Sequence, residues 1–328
     1  MADIARIAGV SKSTVSRALS DSPLVNDATK ELVRKIAKEH NYRVNVAARN
    51  FRLKESLTVA LVIPAADGVD WKLSAPFFLQ MTAAIAEALD DMGHTLLLTR
   101  TKPQSGEWIE EYVAKRQSDG MILVGQGTQH AALQRIAQTY GAISVWGEAI
   151  PGALYPTVGS DNVLGGRKAA GHLIERGCKR LAFVGAEASP ESEARLAGFR
   201  AVIVEHGLSL EDSLVFPPVT GNPHVLEVIS RVVEARADYD GIFAATDLQA
   251  LTIMTAMMQA GIAVPQQCKI IGFDDLPIAE WYNPPLTTMH QDLELGAKAL
   301  VDNLMTVING GEAQHVKLNP ELVVREST

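Results

Sequence analysis

Apolar residues in the first forty positions recur every three or four residues, in short stretches typical of amphipathic helices. Three helices are predicted, the first over residues 3–8, the second over about 11–20 and the third ending near residue 42. Ser11 and Asn26 stand where the N-caps of the second and third helices are expected. The N-terminal region is therefore predicted to be a small all-α domain.

Beyond residue 57 the pattern changes to short continuous apolar runs that alternate with helical segments. The run LTVALVIP at 57–64 is typical of a strand buried on both faces, and FFLQMTAAIAEALDDMG follows it with a helical pattern. The same cycle recurs in GMILVG, AISVWG, RLAFVG, GIFAAT and KIIGFDD. This alternation predicts doubly wound parallel sheets that bind ligands at the carboxyl ends of their strands.

Charge is distributed unevenly between these two regions. The net charge of the 328-residue chain is −8, yet residues 1–55 contain 11 Lys and Arg against 6 Asp and Glu. The remaining 273 residues contain 19 against 32. A small basic head on an acidic body suggests that the head binds a polyanion and the body does not.

The composition also narrows the cellular class. No apolar run reaches the roughly 18 residues of a membrane helix, and the polar N-terminus does not resemble a secretory signal. Cys178 and Cys268 lack the spacing of metal ligands and suit a reducing compartment. We therefore expect a cytoplasmic protein without a metal or other cofactor.

The second helix carries the chemistry of the head. In VSKSTVSRALSDS, residues 10–22, an apolar stripe containing Val15 and Leu19 lies opposite short polar and basic side chains. A surface helix of a small bundle would also show such a stripe. In a helix-turn-helix domain, however, small polar residues let the second helix enter the major groove, where Lys12 and Arg17 would reach base edges or phosphates.

The segment DIARIAGVSKSTVSR, followed by a third helix that ends in Asn-Tyr, resembles the DNA-binding head of LacI/GalR-family regulators. The family pattern is D-[VI]-A-x-x-A-G-V-S-x-x-T-V-S-R. By this resemblance Lys12, Ser13 and Arg17 would read bases, and the phosphate contacts would be Ser11, Thr14 and Ser16. The resemblance implies a helix-turn-helix domain over residues 1–44.

Residues 45–56 resemble the family's hinge helix and linker, which fold on DNA and enter the minor groove. Phe51 stands at the position of the apolar wedge, usually Leu, that kinks the duplex. The other implied DNA contacts in this segment are Asn45, Ala48, Arg49 and Arg52. Val44 replaces a common Pro, and Met1-Ala2 leaves no room for the usual capping Thr. These departures predict weaker DNA binding or a native start upstream of Met1.

For residues 57–328 the resemblance implies a bilobed core like that of periplasmic binding proteins. One lobe would comprise about 57–157 and 289–317, and the other about 158–288 and 318–328. The chain ends in LNPELVVREST without a heptad helix, which favours a homodimer over a tetramer. A two-fold dimer in turn predicts a near-palindromic DNA site.

The candidate effector contacts follow predicted strands. The guanidinium fork of Arg195 suits vicinal hydroxyls or a carboxylate, and the resemblance makes Asp274 a hydroxyl acceptor. Thr246 replaces a frequent Asn. Phe77 and Phe78 suit a sugar face or a nucleobase, although one of them is expected in the core. Asp247 and Asp275 are interpreted as loop ion pairs or helix caps, and three tryptophans remain unranked at the cleft: Trp71, Trp146 and Trp281.

These features predict a DNA-binding regulator, most simply a repressor of carbohydrate-utilisation genes that a small sugar releases from its operator. A purine-like corepressor or a phosphorylated sugar is the alternative effector. A solute-binding protein would not carry the head. An α/β enzyme is disfavoured because VGQGTQ lacks the third glycine of a dinucleotide-binding loop.

Overall fold

The computed structural model describes residues 1–40, 42, 56–63, 73–100, 112–114, 117–126, 130–186, 189–220 and 224–328. Contacts within the chain divide it into two units, Met1–Leu57 and Thr58–Thr328. The predicted hinge helix and Trp71 lie outside the described residues.

The described part of the first unit contains the helices α1 (Ala2–Ala8), α2 (Lys12–Leu19) and α3 (Asp27–Glu39). The predicted caps are confirmed: Ser11 accepts a hydrogen bond from the backbone N–H of Thr14, and Asn26 accepts one from Thr29. The apolar stripes meet in a small core that includes Ile4, Val15, Ala18, Val33 and Ile36. The apolar period and the N-cap residues together were therefore sufficient to place these helices.

A parallel six-stranded sheet forms one layer of the second unit, with strand order β11-β5-β4-β3-β1-β2. Alternate residues of its strands face two separate cores, as Val59, Leu61 and Ile63 face one and Ala60 and Val62 face the other. The strands are β1 (Thr58–Ile63), β2 (Thr95–Arg100), β3 (Gly120–Val124), β4 (Ile143–Trp146), β5 (Thr157–Ser160) and β11 (Val316–Leu318), and the associated helices are α4 (Pro76–Asp91), α5 (His130–Ala137) and α11 (Leu293–Ile308).

The second layer contains a parallel four-stranded sheet with order β7-β6-β8-β9. Its elements are α6 (Asn162–Glu175), β6 (Leu181–Val184), α7 (Pro190–Glu205), β7 (Val215–Phe216), α8 (Val225–Glu234), β8 (Gly241–Ala244), α9 (Asp247–Gln259), β9 (Lys269–Ile271) and α10 (Pro277–Trp281). A separate antiparallel pair joins β10 (Thr288–His290) to β12 (Glu321–Val323). Two helix-covered sheets of this kind form the predicted bilobed α/β fold.

The strands predicted from continuous apolar runs are all present, whereas four short strands, β5, β7, β10 and β11, had not been predicted. They contain only two to four residues. TVGS, TMH and VKL are interrupted by polar residues or glycine, and VF has only two residues, whereas the predicted strand β6 is apolar at all four positions. Because β5 and β10 were not predicted, the polar residues that follow them were absent from the predicted site.

Two glycines let the backbones of α6 and α7 touch. A Cβ on Gly166 would lie 2.0 Å from the carbonyl oxygen of Arg195, and a Cβ on Gly198 would lie 1.9 Å from the carbonyl oxygen of Val163. Both distances are far inside van der Waals contact, so neither position tolerates a side chain without movement of a helix. This crossing sets the position of Arg195 on α7.

No helix in the described ranges is long and apolar enough to cross a membrane.

We expect Gly166→Ala to lower the free energy of unfolding by about 2–3 kcal/mol, because the added methyl group overpacks a backbone contact. Gly171→Ala on the same helix is the matched control. A Cβ at position 171 meets nothing within 4 Å, so replacing this helical glycine should stabilise the protein by about 0.5–1 kcal/mol. Urea unfolding of both variants measures the difference. Equal effects at the two positions would contradict the close-contact explanation.

Candidate functional site

The exposed face of α2 presents the residues predicted to bind DNA. The side chains of Lys12, Ser13 and Arg17 are exposed, and those of Thr14 and Ser16 are half-buried beside them. The Ser11 hydroxyl lies 2.7 Å from the Ser13 hydroxyl and 2.8 Å from that of Thr14. A short cluster of hydroxyl groups therefore lies at the N-terminus of this helix, next to its unsatisfied backbone N–H groups.

The carboxylate of Asp21, in the loop after α2, is paired with two cations of α3. Asp21 lies 3.2 Å from the Lys30 ammonium and 2.8 Å from the Arg34 guanidinium. Lys30 and then Arg34 lower the pKa of the Asp21 carboxyl. Among the ion pairs of the described residues, none involves Lys12 or Arg17. Both cations are thus available for an external polyanion.

The predicted hinge contacts fall outside the described residues and stay predictions. They are Asn45, Ala48, Arg49, Phe51 and Arg52.

In the second unit, Arg195 is a buried cation held by three groups. Its Nε donates to Asn162 Oδ1 at 2.8 Å, its Nη1 donates to the carbonyl oxygen of Ala245, and its Cζ lies 3.5 Å from the centre of the Phe273 ring. Burial lowers the pKa of Arg195, whereas nearby carboxylates raise it, Asp274 most strongly. The hydrogen bonds described for Arg195 leave Nη2 for a further acceptor.

Asp274 lies at the carboxyl end of β9, buried near Arg195. Its φ of 127° is unusual for a residue with a side chain, and its N–H donates to the carbonyl oxygen of Met289. Asp274 Oδ1 accepts a hydrogen bond from Gln291 Nε2 at 2.7 Å. Burial raises the pKa of the Asp274 carboxyl, while Arg195 opposes this shift. The two predicted effector contacts are thus brought together across 79 positions of sequence.

Each of these two residues is connected to the six-stranded layer through a buried amide. Asn162 Nδ2 donates to Glu148 Oε2 at 2.8 Å, and Glu148 Oε1 lies 3.3 Å from Lys317 Nζ. The Gln291 amide accepts from Ser160 Oγ at 2.7 Å while it donates to Asp274. These amides and Glu148 were missing from the sequence prediction.

Only one of the missed residues had a signal in the sequence. Glu148 follows the recognisable strand run AISVWG, so its place at a strand end could have been noticed. Asn162 and Gln291 follow β5 and β10, whose sequences TVGS and TMH are interrupted by polar residues or glycine and form no continuous apolar run.

The aromatic candidates separate into core and surface. Phe78 is buried in the core between the six-stranded sheet and α4, so it is not exposed to a ligand. Phe77 is half-buried and packs against Trp146, with ring centres 6.4 Å apart. Trp281 is 80% exposed on α10. Of the pair Phe77 and Phe78, only Phe77 remains a candidate for effector contact.

The remaining candidates make local contacts. Thr246 is the N-cap of α9, where its hydroxyl accepts from the N–H of Gln249. Asp247 is buried and accepts from the hydroxyl of Thr288 and from the N–H of Leu276. Asp275 pairs with Arg325 at 2.7 Å, in agreement with its interpretation as a loop ion pair.

Comparison with known proteins decides the family. Residues 1–45 match the family model for bacterial regulatory proteins of the lacI family, and residues 170–328 match a periplasmic binding protein-like domain. The chain is 30% identical over 335 residues to the HTH-type transcriptional regulator CelR of Thermobifida fusca, covering 99% of this chain and 96% of that protein. The chain belongs to the LacI family. It is a DNA-binding transcriptional regulator.

Solved structures share the fold of this LacI-family chain. A transcriptional regulator CelR–cellobiose complex is 28% identical with a TM-score of 0.73, and the similarity covers 99% of this chain and 98% of that one. The lac repressor dimer bound to operator and the anti-inducer ONPF superposes with a TM-score of 0.85 over the same shares of both chains. At 23% identity the latter shows the fold alone.

We expect Asp274→Asn to stabilise the regulator at neutral and higher pH. A carboxyl whose pKa is raised in the folded state contributes stability below its unfolded pKa of roughly 4, and this contribution is lost as the pH rises. Asparagine does not ionise, so the variant avoids the loss. We compare the free energy of unfolding of the variant with that of wild type at each pH. This difference should be larger at about pH 8 than at about pH 4.5, by at least about 1 kcal/mol in favour of the variant.

Urea unfolding at both pH values measures this change. The control is Asp275→Asn, which removes the partner of Arg325 and should destabilise the protein without this gain. If Asp274→Asn and wild type show the same pH dependence, the buried carboxyl does not contribute as described.

Proposed function

We propose that this regulator binds a near-palindromic operator as a homodimer and represses carbohydrate-utilisation genes until a neutral sugar occupies the cleft at Arg195 and Asp274. The observation that supports the DNA-binding part is the exposed face of α2, where Lys12 and Arg17 form no ion pair with the carboxylates that the structure describes. The buried side chains of Arg195 and Asp274 support the effector-binding part of the proposal. The protein acts in the cytoplasm as a binding protein without catalytic activity.

Lys12, Ser13 and Arg17 read base edges, because they lie on the exposed first and second turns of the recognition helix. Arginine and lysine are the usual donors to guanine in the major groove, and serine bonds several bases. Ser11, Thr14 and Ser16 position the helix on phosphates. The hinge residues Asn45, Ala48, Arg49 and Arg52 contact the minor groove, and Phe51 is inserted between base pairs.

A neutral polyhydroxylated effector fits the charges of the cleft. Four carboxylates act on Arg195, those of Asp274, Glu191, Glu148 and Asp247. Of these, Glu148 is paired with Lys317. Burial raises the pKa values of the Asp274 and Asp247 carboxyls, so this site already disfavours negative charge. A phosphate or carboxylate group of a ligand would meet the same unfavourable burial, beside the carboxylate of Glu191. The hydroxyl groups of a neutral sugar add no negative charge.

The same cleft offers hydrogen-bond partners of both kinds. The Oε1 atom of Glu191 is buried and has no hydrogen-bond partner among the described residues, so it suits a hydroxyl donor. Arg195 Nη2 can donate a hydrogen bond to the oxygen of a ligand hydroxyl group. Phe77 supplies an apolar surface beside Trp146. This combination is typical of sugar sites, and the solved structure of the similar regulator CelR is a complex with cellobiose.

Dimerisation is supported by exposed apolar residues on α9 and α10. A hydrogen bond between Thr255 and Tyr282 joins these two segments. Scattered single apolar residues are ordinary on a surface, but a group on neighbouring elements suits a protein interface. The exposed members are Leu248, Met258, Ile278 and Trp281. A two-fold dimer presents two α2 helices to two half-sites.

We expect Arg17→Ala to weaken binding to an operator duplex selected from a random pool by the wild-type protein. Loss of one base or phosphate contact of this kind costs about 1–3 kcal/mol, or roughly 5- to 150-fold in affinity. Fluorescence anisotropy at several salt concentrations measures it. Arg176→Ala, which removes an exposed arginine of the body, is the control and should bind as wild type does. Unchanged affinity in Arg17→Ala would remove α2 from the interface.

We expect a thermal-shift panel to respond to neutral sugars, cellobiose included, and not to their phosphorylated forms. At about 100 times its dissociation constant a ligand adds roughly 2.7 kcal/mol of stability. Arg195→Ala should abolish the response. Glu191→Gln, which removes one negative charge, should increase the response to phosphorylated sugars. A stronger response of wild type to sugar phosphates or nucleobases would contradict the neutral-sugar assignment.

A further inference from the structure

Among the described residues, the amide of Asn162 links Arg195 by hydrogen bonds to the six-stranded layer. Asn162 is buried at the first position of α6, directly after β5 ends at Ser160. Its Oδ1 accepts from Arg195 Nε, and its Nδ2 donates to Glu148 Oε2, each at 2.8 Å. Arg195 belongs to the four-stranded layer through α7, whereas Glu148 follows β4 of the six-stranded layer. The amide therefore joins the two lobes.

Only a side-chain amide can occupy this position with both bonds made. Arg195 carries only donors, and an ionised carboxylate such as Glu148 carries only acceptors. Asparagine supplies one acceptor and two donors on a short, rigid side chain. A serine would be shorter, and an aspartate would present an oxygen to the oxygen of Glu148. The polarity of the amide is thus matched to both of its partners.

Glu148 is itself fixed on the other side. Its Oε1 lies 3.3 Å from Lys317 Nζ on β11, and its carbonyl oxygen accepts from Gln126 Nε2 at 2.8 Å. Gln126 is fully buried. Movement of the six-stranded layer therefore moves the carboxylate that holds Asn162, and through Asn162 it moves the group that orients the Arg195 guanidinium.

We propose that Asn162 is a positioning residue that couples the separation of the two lobes to the orientation of Arg195. This proposal rests on the proposed function, in which Arg195 contacts the effector. When Glu148 and Asn162 are bonded, the amide carbonyl holds Nε and leaves Nη2 toward the ligand. When the lobes separate, Glu148 releases the amide and Arg195 loses its fixed orientation. An effector that favours one arrangement shifts the balance between the two.

The test is an isosteric exchange with a designed rescue. In Asn162→Asp the new carboxylate still accepts from Arg195, but it faces Glu148 at hydrogen-bond distance, and two carboxylates so close repel each other. In the double variant Glu148→Gln/Asn162→Asp, the Gln amide donates to the new carboxylate. The double variant therefore restores the bridge with its donor and acceptor reversed. Glu148→Gln alone can accept from Asn162 with its amide oxygen, but it then turns its NH2 group toward Lys317 and loses that contact. It therefore serves as the single-variant baseline for the double variant.

The readout is the distance between the lobes, measured by pulsed electron spin resonance on the full-length protein without effector or DNA. Spin labels are attached to cysteines introduced at two exposed positions, Glu312 after α11 and Leu226 on α8. Cys178 and Cys268 are buried and should not react. Dilution with unlabelled protein removes distances between the subunits of a dimer.

With the natural Asn162 we expect one narrow distribution of distances between the labels. Asn162→Asp should add a longer distance, and the double variant should recover the single narrow distribution. Recovery distinguishes positioning from a structural defect, because a defect at position 162 would not respond to a change at position 148. An unchanged distance in Asn162→Asp, or a change that the double variant does not reverse, overturns the proposal. Melting curves of each variant show that it is folded.

The measurement requires neither an operator nor an effector. A failure of the Arg17→Ala experiment or of the sugar panel would count against the proposed function, while the distances would still test the bridge.

Discussion

The buried guanidinium of Arg195 is the constraint on which the body of this regulator depends. A cation without hydrogen bonds or counter-charges in a protein interior costs several kcal/mol. Here it is accommodated by one ring face, one backbone carbonyl, one amide and a group of carboxylates. Each of these groups has to be within a few ångströms, so the surrounding elements have little freedom to move independently.

The helix crossing follows from this constraint. Arg195 can reach Asn162 only if α7 passes close to α6, and that approach requires glycine at positions 166 and 198. The Phe273 ring that carries the guanidinium also packs against Gly165, where a Cβ would lie 2.5 Å from the ring. Three glycines therefore allow the close packing around Arg195, the proposed effector contact.

The head and the body use charge in opposite ways. In the head, Asp21 pairs with Lys30 and Arg34, and no ion pair among the described residues involves Lys12 or Arg17 of α2. In the body, carboxyl groups surround Arg195. This distribution is consistent with the proposal that the head binds DNA and the cleft binds a neutral effector. Regulation requires only that effector occupancy changes the balance between body conformations that bind DNA differently.

Local pattern was sufficient for the head and for most of the body. The apolar period and the caps Ser11 and Asn26 predicted α2 and α3, because a short helix is stabilised by contacts among near neighbours. The strand runs of β1, β3, β4, β6 and β8 were equally clear, since strands buried on both faces are continuously apolar. The resemblance to a family then pointed to Arg195 and Asp274 as ligand contacts.

What surrounds those two residues was decided by the tertiary structure. Asn162 is 33 positions from Arg195, and Ser160 is 131 positions from Gln291, so no local pattern connects them. Phe77 and Phe78 are adjacent in sequence, yet the rotation of α4 buries one in the core and leaves the other half-exposed. Which polar groups meet, and which aromatic ring turns inward, depends on how the layers pack, because hydrogen bonds and burial act through space and not along the chain.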